Sequence, residues 1–333
     1  MGFTKMKRAV LLFFLFSFLS DCLYGSCGSA SCPLNNFHAI KAGWFNLGYT
    51  YEYINQDQIY VGKSKAFVGA IPEDHNEVQT LNSINNLHFQ YGILNDFGLS
   101  VDLPFVHREH IHIDHLAAGP TYQGWNFTGL GDMRIDAQYA ILSPSEEFQP
   151  YFSLSGGVKL ATGVTGLMNN EGEAAEVTIQ PGTGSTDGII GLHYEQTLAS
   201  VRTISGAYSA LPLTAGVSYQ FNGAGTNGYR FGNTLLVHLG TAYQFSHRAS
   251  ALLQANGRFQ GFADVGTTGE PRENTGGTWM YLSPGLSLQL NDALTGSMYV
   301  QLPLYQDVHG IQQTAKYHLA FNLSYSFNLD EAE

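Results

Sequence analysis

The feature that most limits the fold of this chain is a side-chain alternation of period two, sustained over stretches longer than most globular strands. In Tyr317–Asn328, Tyr317, Leu319, Phe321, Leu323, Tyr325 and Phe327 lie on one side, and His318, Ala320, Asn322, Ser324, Ser326 and Asn328 on the other. Met133, Ile135, Ala137, Tyr139 and Ile141 are likewise opposed to Asp132, Arg134, Asp136 and Gln138. Phe231–Phe245 repeats the pattern, with Phe231, Leu235, Val237, Leu239, Tyr243 and Phe245 on the apolar side. Successive strand residues point to opposite faces, so each stretch reads as a strand with one apolar and one polar face.

Twelve segments carry this signal: Ala42–Ile54, Asn82–Ile93, Phe97–His107, Gly129–Ile141, Pro150–Thr162, Ser185–Gln196, Val201–Phe221, Phe231–Phe245, Arg248–Gly261, Thr278–Leu290, Ala293–Leu304 and Lys316–Phe327. Several reach the roughly 9–11 residues that a tilted strand needs to cross a hydrocarbon layer. Pro212 interrupts the Val201–Phe221 segment and leaves its register open. Connections after the even-numbered segments are short, as at Asn95-Asp96, Ser246-His247 and Asn291-Asp292. Those after the odd segments are mostly long: Asn55–Leu81, Arg108–Thr128, Gly163–Gly184 and Phe262–Gly277.

Long loops on one rim and short turns on the other are the habit of up-and-down barrels in the outer membrane. The expected fold is therefore all-β: a transmembrane up-and-down antiparallel β-barrel of about 12 strands, with long extracellular loops and short periplasmic turns. A secreted β-sandwich or an enclosed soluble barrel shares the alternation but turns its apolar face inward. Low charge separates the two. Charged residues are 13% of the chain, against roughly 25% in soluble domains. Glycine is abundant, with 38 residues, as are Tyr (19) and Phe (21). A membrane barrel needs only alternate residues to be apolar, which this composition supplies without a long apolar run.

The first residues read as an export signal: Lys5, Lys7 and Arg8, then an apolar run Ala9–Leu19, then small residues. The expected organisation is a signal peptide over residues 1–26, cut between Gly25 and Ser31, and a short periplasmic segment over 27–40. The barrel follows over 41–328 and a tail over 329–333. The three cysteines, Cys22, Cys27 and Cys32, all fall before Pro33. Lipidation at Cys22 or Cys27 and a Cys27–Cys32 disulfide both stay open. Without Lys5, Lys7, Arg8 and Asp21 the remainder has 12 basic and 26 acidic residues, a balance of −14. That balance excludes nucleic acid as a partner, because phosphate binding needs a basic footprint.

Four blocks give the chain a family resemblance. The strongest is Gln180-Pro181-Gly182-Thr183-Gly184-Ser185-Thr186-Asp187, followed by the strand Gly188–Gln196. The others are Gly129-Leu130-Gly131-Asp132-Met133-Arg134, Gly157-Val158-Lys159-Leu160-Ala161-Thr162-Gly163 and Val101-Asp102-Leu103-Pro104-Phe105-Val106. Together they resemble a family of Gram-negative outer-membrane proteins assigned to the MetA pathway of phenol degradation, or simply called transporters. Family members usually have Pro where Ala161 stands. The resemblance implies a barrel with a transport-like role and fixes no substrate. From the residues alone, the Gln180–Asp187 block reads as a loop-to-strand entry. Gly182 and Gly184 permit unusual backbone, and Pro181 forbids a central ladder bond. A phosphate-cradling loop would also need a Lys and a following helix, which the block lacks.

Two constellations are candidates for chemistry. His107, His110, His112 and His115 cluster in one short stretch, which reads as an outer loop; imidazoles of this kind suit Zn, Cu or Ni. In an extended chain His110, His112 and Asp114 share a face; the plainer reading is a polar loop whose histidines bond one another, Arg108 and water. The second set is the presumed lumen face: Asp102, Asp132, Arg134, Asp136, Lys159, Glu195, His238, Arg258 and His318. Charges facing lipid are costly, so these belong inside, where they line a channel or form a closed ion-pair plug. His193 and Glu195 share a face, but no nucleophile elbow accompanies them, and no enzyme activity is expected.

The resulting expectation is an outer-membrane channel passing a small solute by passive diffusion, a hydrophobic or aromatic compound if the resemblance holds. The second reading is a metal-binding or efflux-associated barrel using His107–His115, and the third a structural barrel with a closed lumen. Expected partners are outer-membrane lipid, the solute, a divalent metal at the outer loop under the second reading, and the barrel assembly machinery. No cofactor is expected.

Overall fold

The computed structural model describes residues 41–71, 76–116, 119–144, 148–202, 206 and 208–328, without the side chains of 114–120 and 208. The expected leader, the cysteine alternatives and the tail over 329–333 lie outside the described residues.

Fourteen strands form one antiparallel sheet. Twelve build the barrel: β1 (Trp44–Val61), β3 (Glu77–Leu94), β4 (Phe97–Leu116), β6 (Arg134–Leu142), β7 (Tyr151–Lys159), β8 (Asp187–Arg202), β9 (Tyr208–Phe221), β10 (Thr234–Ser246), β11 (Ala249–Gln260), β12 (Gly277–Gln289), β13 (Leu294–Val308) and β14 (Ile311–Asn328). The remaining two, β2 (Ser64–Ala66) and β5 (Gly119–Leu130), pair with β1 and β4 outside this ring. Pairing of β1 with β14, from Trp44↔Asn328 to Val61↔Ile311, closes the ring, so the sheet has no open edge there.

The alternation falls as the sequence demands. On β14, Tyr317, Leu319, Phe321 and Tyr325 are exposed, while His318 and Asn322 are buried. Leu99, Tyr139, Leu154, Ile190, Leu239, Leu253 and Met298 are exposed on their strands, whereas Asp136, Gln138, Ser153, His193, Gln254 and Asn256 face inward and are buried. A soluble barrel would show the reverse. Apolar outside and polar inside is stable only against lipid. Among the described residues no helix is long and apolar enough to cross a membrane; strands make the crossing.

Apolar cores exist, but they sit mainly at the loop-bearing rim. Trp125 and Phe127 of β5 pack with Ala175 and Ile179. Val177, Tyr229, Phe231 and Ala263 form a second cluster from three connections. Phe231 therefore belongs to this cap and not to the lipid face; β10 starts only at Thr234.

Several boundaries differ from the sequence reading, each for a backbone reason. The expected loop Arg108–Thr128 is instead a hairpin. β4 pairs with β6 from Phe97↔Tyr139 to Asp102↔Arg134, and then with β5 from Phe105↔Leu130 to Leu116↔Gly119. Pro104 stands at this change of partner, where its missing N–H costs no ladder bond, and its carbonyl accepts from the Gly131 N–H at 2.8 Å. The expected strand Gly129–Ile141 is consequently broken at Gly131–Met133. The Asn55–Leu81 loop is shorter than expected, because β1 runs on to Val61. Val201 and Arg202 belong to β8. Pro212 pairs with Thr197 of β8, and pairing of β9 with β10 begins one residue later, at Leu213.

Candidate functional site

The polar face of the barrel gathers most of the expected lumen residues into three groups. On β3, β4 and β6, Asp102 accepts from Asn86 Nδ2 at 2.8 Å and lies 3.0 Å from His88 Nδ1. Arg134 forks onto Asp136, with Nε–Oδ2 2.5 Å and Nη2–Oδ1 2.7 Å. Carboxylate, imidazole and guanidinium are thus compensated within one wall. On β8 and β10, His193 stacks on His238 with centroids 6.0 Å apart, and Glu195 lies 4.0 Å from His193 Nε2. On β11, β12 and β14, Arg258 lies 5.3 Å from the Trp279 ring, and His318 is 5.3 Å from Tyr281.

Asp132 and Lys159 serve a different end. Both are buried, and they are not arranged as channel lining. Lys159 Nζ bridges Asp132 at 3.0 Å and Asp187 at 2.7 Å. It also donates to Thr183 Oγ1 and, at 3.2 Å, to Ser185 Oγ. Asp132 accepts from the backbone N–H groups of Gly163 and Thr183, each at 2.9 Å. Asp187 Oδ1 accepts from Ser185 Oγ at 2.8 Å and from the Gly223 N–H at 3.0 Å. The Gln180–Asp187 block is therefore the entry into β8, as its residues implied, and it is clamped to the wall by a buried lysine between two aspartates.

A second clamp was not legible in the sequence. Arg108, on the inward face of β4, is wholly buried. It donates to Asn82 Oδ1 at 2.5 Å and to the carbonyls of Ile179 and Gln180. Gly163 and Gly182 complete the junction: a Cβ on Gly163 would lie 2.5 Å from Gly182 Cα, and one on Gly182 would overlap the Gly163 backbone. Gly182→Val is expected to destabilise the barrel by about 1–3 kcal/mol through overpacking. The measurement is the temperature at which folded gel mobility is lost; an unchanged temperature would contradict this packing.

The four-histidine set does not converge. His110 and His112 share the inward face of β4 against Trp125, with ring centroids 5.8 and 4.5 Å from it. His107 is on the opposite face, hydrogen-bonded to Thr128 Oγ1 at 2.9 Å. This corrects the expected set, and the reason is the strand: an odd-numbered residue cannot join even-numbered ones on one face. The side chain of His115 lies outside the described residues. Among the described residues no group of three His, Cys, Asp or Glu is placed to hold a metal.

His110 and His112 instead border a cavity of about 630 Å³ at the loop-bearing rim. Its walls come from β1, β3, β4 and β14 and from the connections β7–β8, β9–β10 and β11–β12. His110 Nδ1 is 2.8 Å from Thr80 Oγ1, which donates to Gln313 Oε1 at 2.6 Å. His112 Nε2 meets Gln123 Oε1 at 2.8 Å. Three carboxylates, Glu77, Glu176 and Glu270, also border it. Sequence reasoning missed all three, because they lie on different segments with no shared spacing.

A closed antiparallel ring with an apolar exterior and a charged, hydrogen-bonded interior defines a transmembrane β-barrel of the outer-membrane type. The fold is similar to that of an outer membrane channel from Pseudomonas putida F1, with TM-score 0.61 and 12% identity over 89% of this chain and 100% of that one. Weaker likenesses include the KdgM porin in complex with disordered oligogalacturonate, with TM-score 0.41 and 9% identity over 85% of this chain and 99% of that one. Another is the CymD monoaromatic hydrocarbon channel, with TM-score 0.42 and 9% identity over 87% and 90% of the two chains. No family model and no curated protein matches the sequence.

Proposed function

We propose that this protein is an outer-membrane channel that passes a small solute by passive diffusion through its barrel. The observation that carries the reading is the inverted polarity of the closed ring: lipid-type side chains outside and a continuous lining of polar and charged groups inside. Such a lining replaces the hydration of a passing solute and tunes selectivity. Many lining groups, among them Gln138, His193, Asn256, Gln301 and His318, are buried. A lumen filled to this degree favours small permeants over bulky ones. The finer reading, a hydrophobic or aromatic solute, rests on the resemblance of the Gln180–Asp187 and Gly129–Arg134 blocks to the MetA-pathway family.

Purified protein in planar bilayers is expected to give discrete, small conductance steps. Liposomes containing it should admit small neutral solutes faster than bulky ones. A barrel with folded gel mobility but neither conductance nor solute uptake would overturn the channel reading in favour of a structural barrel.

A further inference from the structure

The cavity at the loop-bearing rim is rich in carboxylates. Around the cavity stand Glu77, Glu176 and Glu270, and among the described lining residues there is no Lys or Arg. Two of its side-chain atoms, Glu270 Oε1 and Gln313 Nε2, are shut off from solvent without a hydrogen-bond partner. Part of the wall is apolar: Val177, Ile179 and Ile311. The volume lies within the range of small-molecule sites, roughly 300–1,000 Å³. The carboxylates do not converge as metal ligands, which favours a ligand larger than a bare ion.

We propose that this cavity is a binding site for small organic cations, a protonated amine held by Glu176 and Glu270 with its compact apolar body against Val177, Ile179 and Ile311. It rests on the channel reading only in placing the site on the solute's path; binding itself does not require transport. Glu270 is the central acceptor. Its Oε1 has no partner, and the Tyr229 hydroxyl hydrogen-bonds to the carboxyl group. An ammonium group supplies N–H donors and opposite charge together. A carboxylate ligand would be repelled by the glutamates, and a neutral alcohol could offer a hydrogen bond but no opposite charge.

The site also has a pH sign. Burial, and then the neighbouring Glu176 charge, push Glu270 up to about 7. Burial raises Glu176 as well, against the opposing pull of His112. The other titratable groups facing the cavity are Glu77 on β3 and His110 and His112 on β4; β1 and β14 contribute only amides and Ile311. Acidification neutralises Glu270 and Glu176, and that loss of negative charge weakens cation binding.

The test is calorimetric titration of detergent-solubilised, full-length protein with 2-phenylethylammonium, 2-phenylethanol and phenylacetate. At about pH 8 the ammonium compound is expected to bind at least about tenfold tighter than the alcohol, and phenylacetate weakest. Glu176→Gln with Glu270→Gln should bring the ammonium and alcohol affinities together. Folded gel mobility checks that the variant is intact. In the unaltered protein, moving from about pH 8 to about pH 5.5 should shrink the ammonium preference, which needs no variant. Equal binding of the three compounds, or a preference for ammonium that persists in both the variant and acid, overturns the inference. Cation binding without bilayer conductance would sink the channel reading and leave the site standing. Conductance without cation preference would do the opposite.

Discussion

Lys159→Met is expected to cost the barrel about 3–5 kcal/mol, because it leaves Asp132 and Asp187 buried without their shared cation. The two carboxylates lie 3.0 and 2.7 Å from Nζ and are almost completely shielded from solvent. The effect should reach further than stability. The same cluster fixes Thr183, Ser185 and the Gly163 backbone, so the connection from Leu160 to Thr186 loses its main attachment to the wall. The variant should lose folded gel mobility at a lower temperature, be cleaved by protease in that connection, and show larger or noisier conductance steps. Replacing the whole cluster, with Asp132→Leu and Asp187→Leu added, is not expected to rescue it. Those carboxylates also accept backbone N–H groups of Gly163, Thr183 and Gly223, which an apolar replacement would leave unpaired. Full recovery in the triple variant would show that the cluster is a charge pair and nothing more.

The second large effect probes the inside-out architecture. Phe321 points outward at mid-strand on β14, with Leu319 and Tyr325 on the same face. Phe321→Arg should destabilise the protein in bilayers by about 2–4 kcal/mol, and Tyr325→Arg by only about 0–1 kcal/mol, because the cost falls toward the interface. Tyr325 pairs with Leu294 at the start of β13, next to the short turn from β12. The comparison is made by reversible urea unfolding from lipid vesicles. Equal, small costs at both positions would mean that this face does not contact hydrocarbon.

The barrel was legible in the chain because a strand exposes its two faces to two different solvents. Every one of the twelve expected segments overlaps a barrel strand, and the odd residues from Tyr317 to Phe327 fall on the outer face as written. Loop asymmetry was also legible, since short turns such as Ser246-His247 need no tertiary contacts to be recognised. The errors lie where strands continue past the membrane. Period two persists in His107–Ile113, yet its polar content resembles a loop, and only pairing with β5 makes it a strand. The shared face of His110 and His112 follows from extended backbone and was legible, whereas His107 entered the same set by linear proximity alone and lies on the opposite face. Asp132 and Lys159 were recognised as inward-facing, but their union with Asp187 depends on a connection of more than twenty residues folding back.

The sequence by itself determined the class of fold, the direction of each well-patterned strand face and the rim on which the long connections lie. These follow from local periodicity and turn chemistry, which any neighbouring strand must respect. Only the tertiary structure decided which charges meet. Ring closure brings Trp44 opposite Asn328, the cap folds Glu176 and Glu270 onto one cavity, and Arg108 finds the carbonyls of Ile179 and Gln180. Those contacts join residues far apart in the chain, and their energies depend on burial and distance, two quantities that no local pattern encodes.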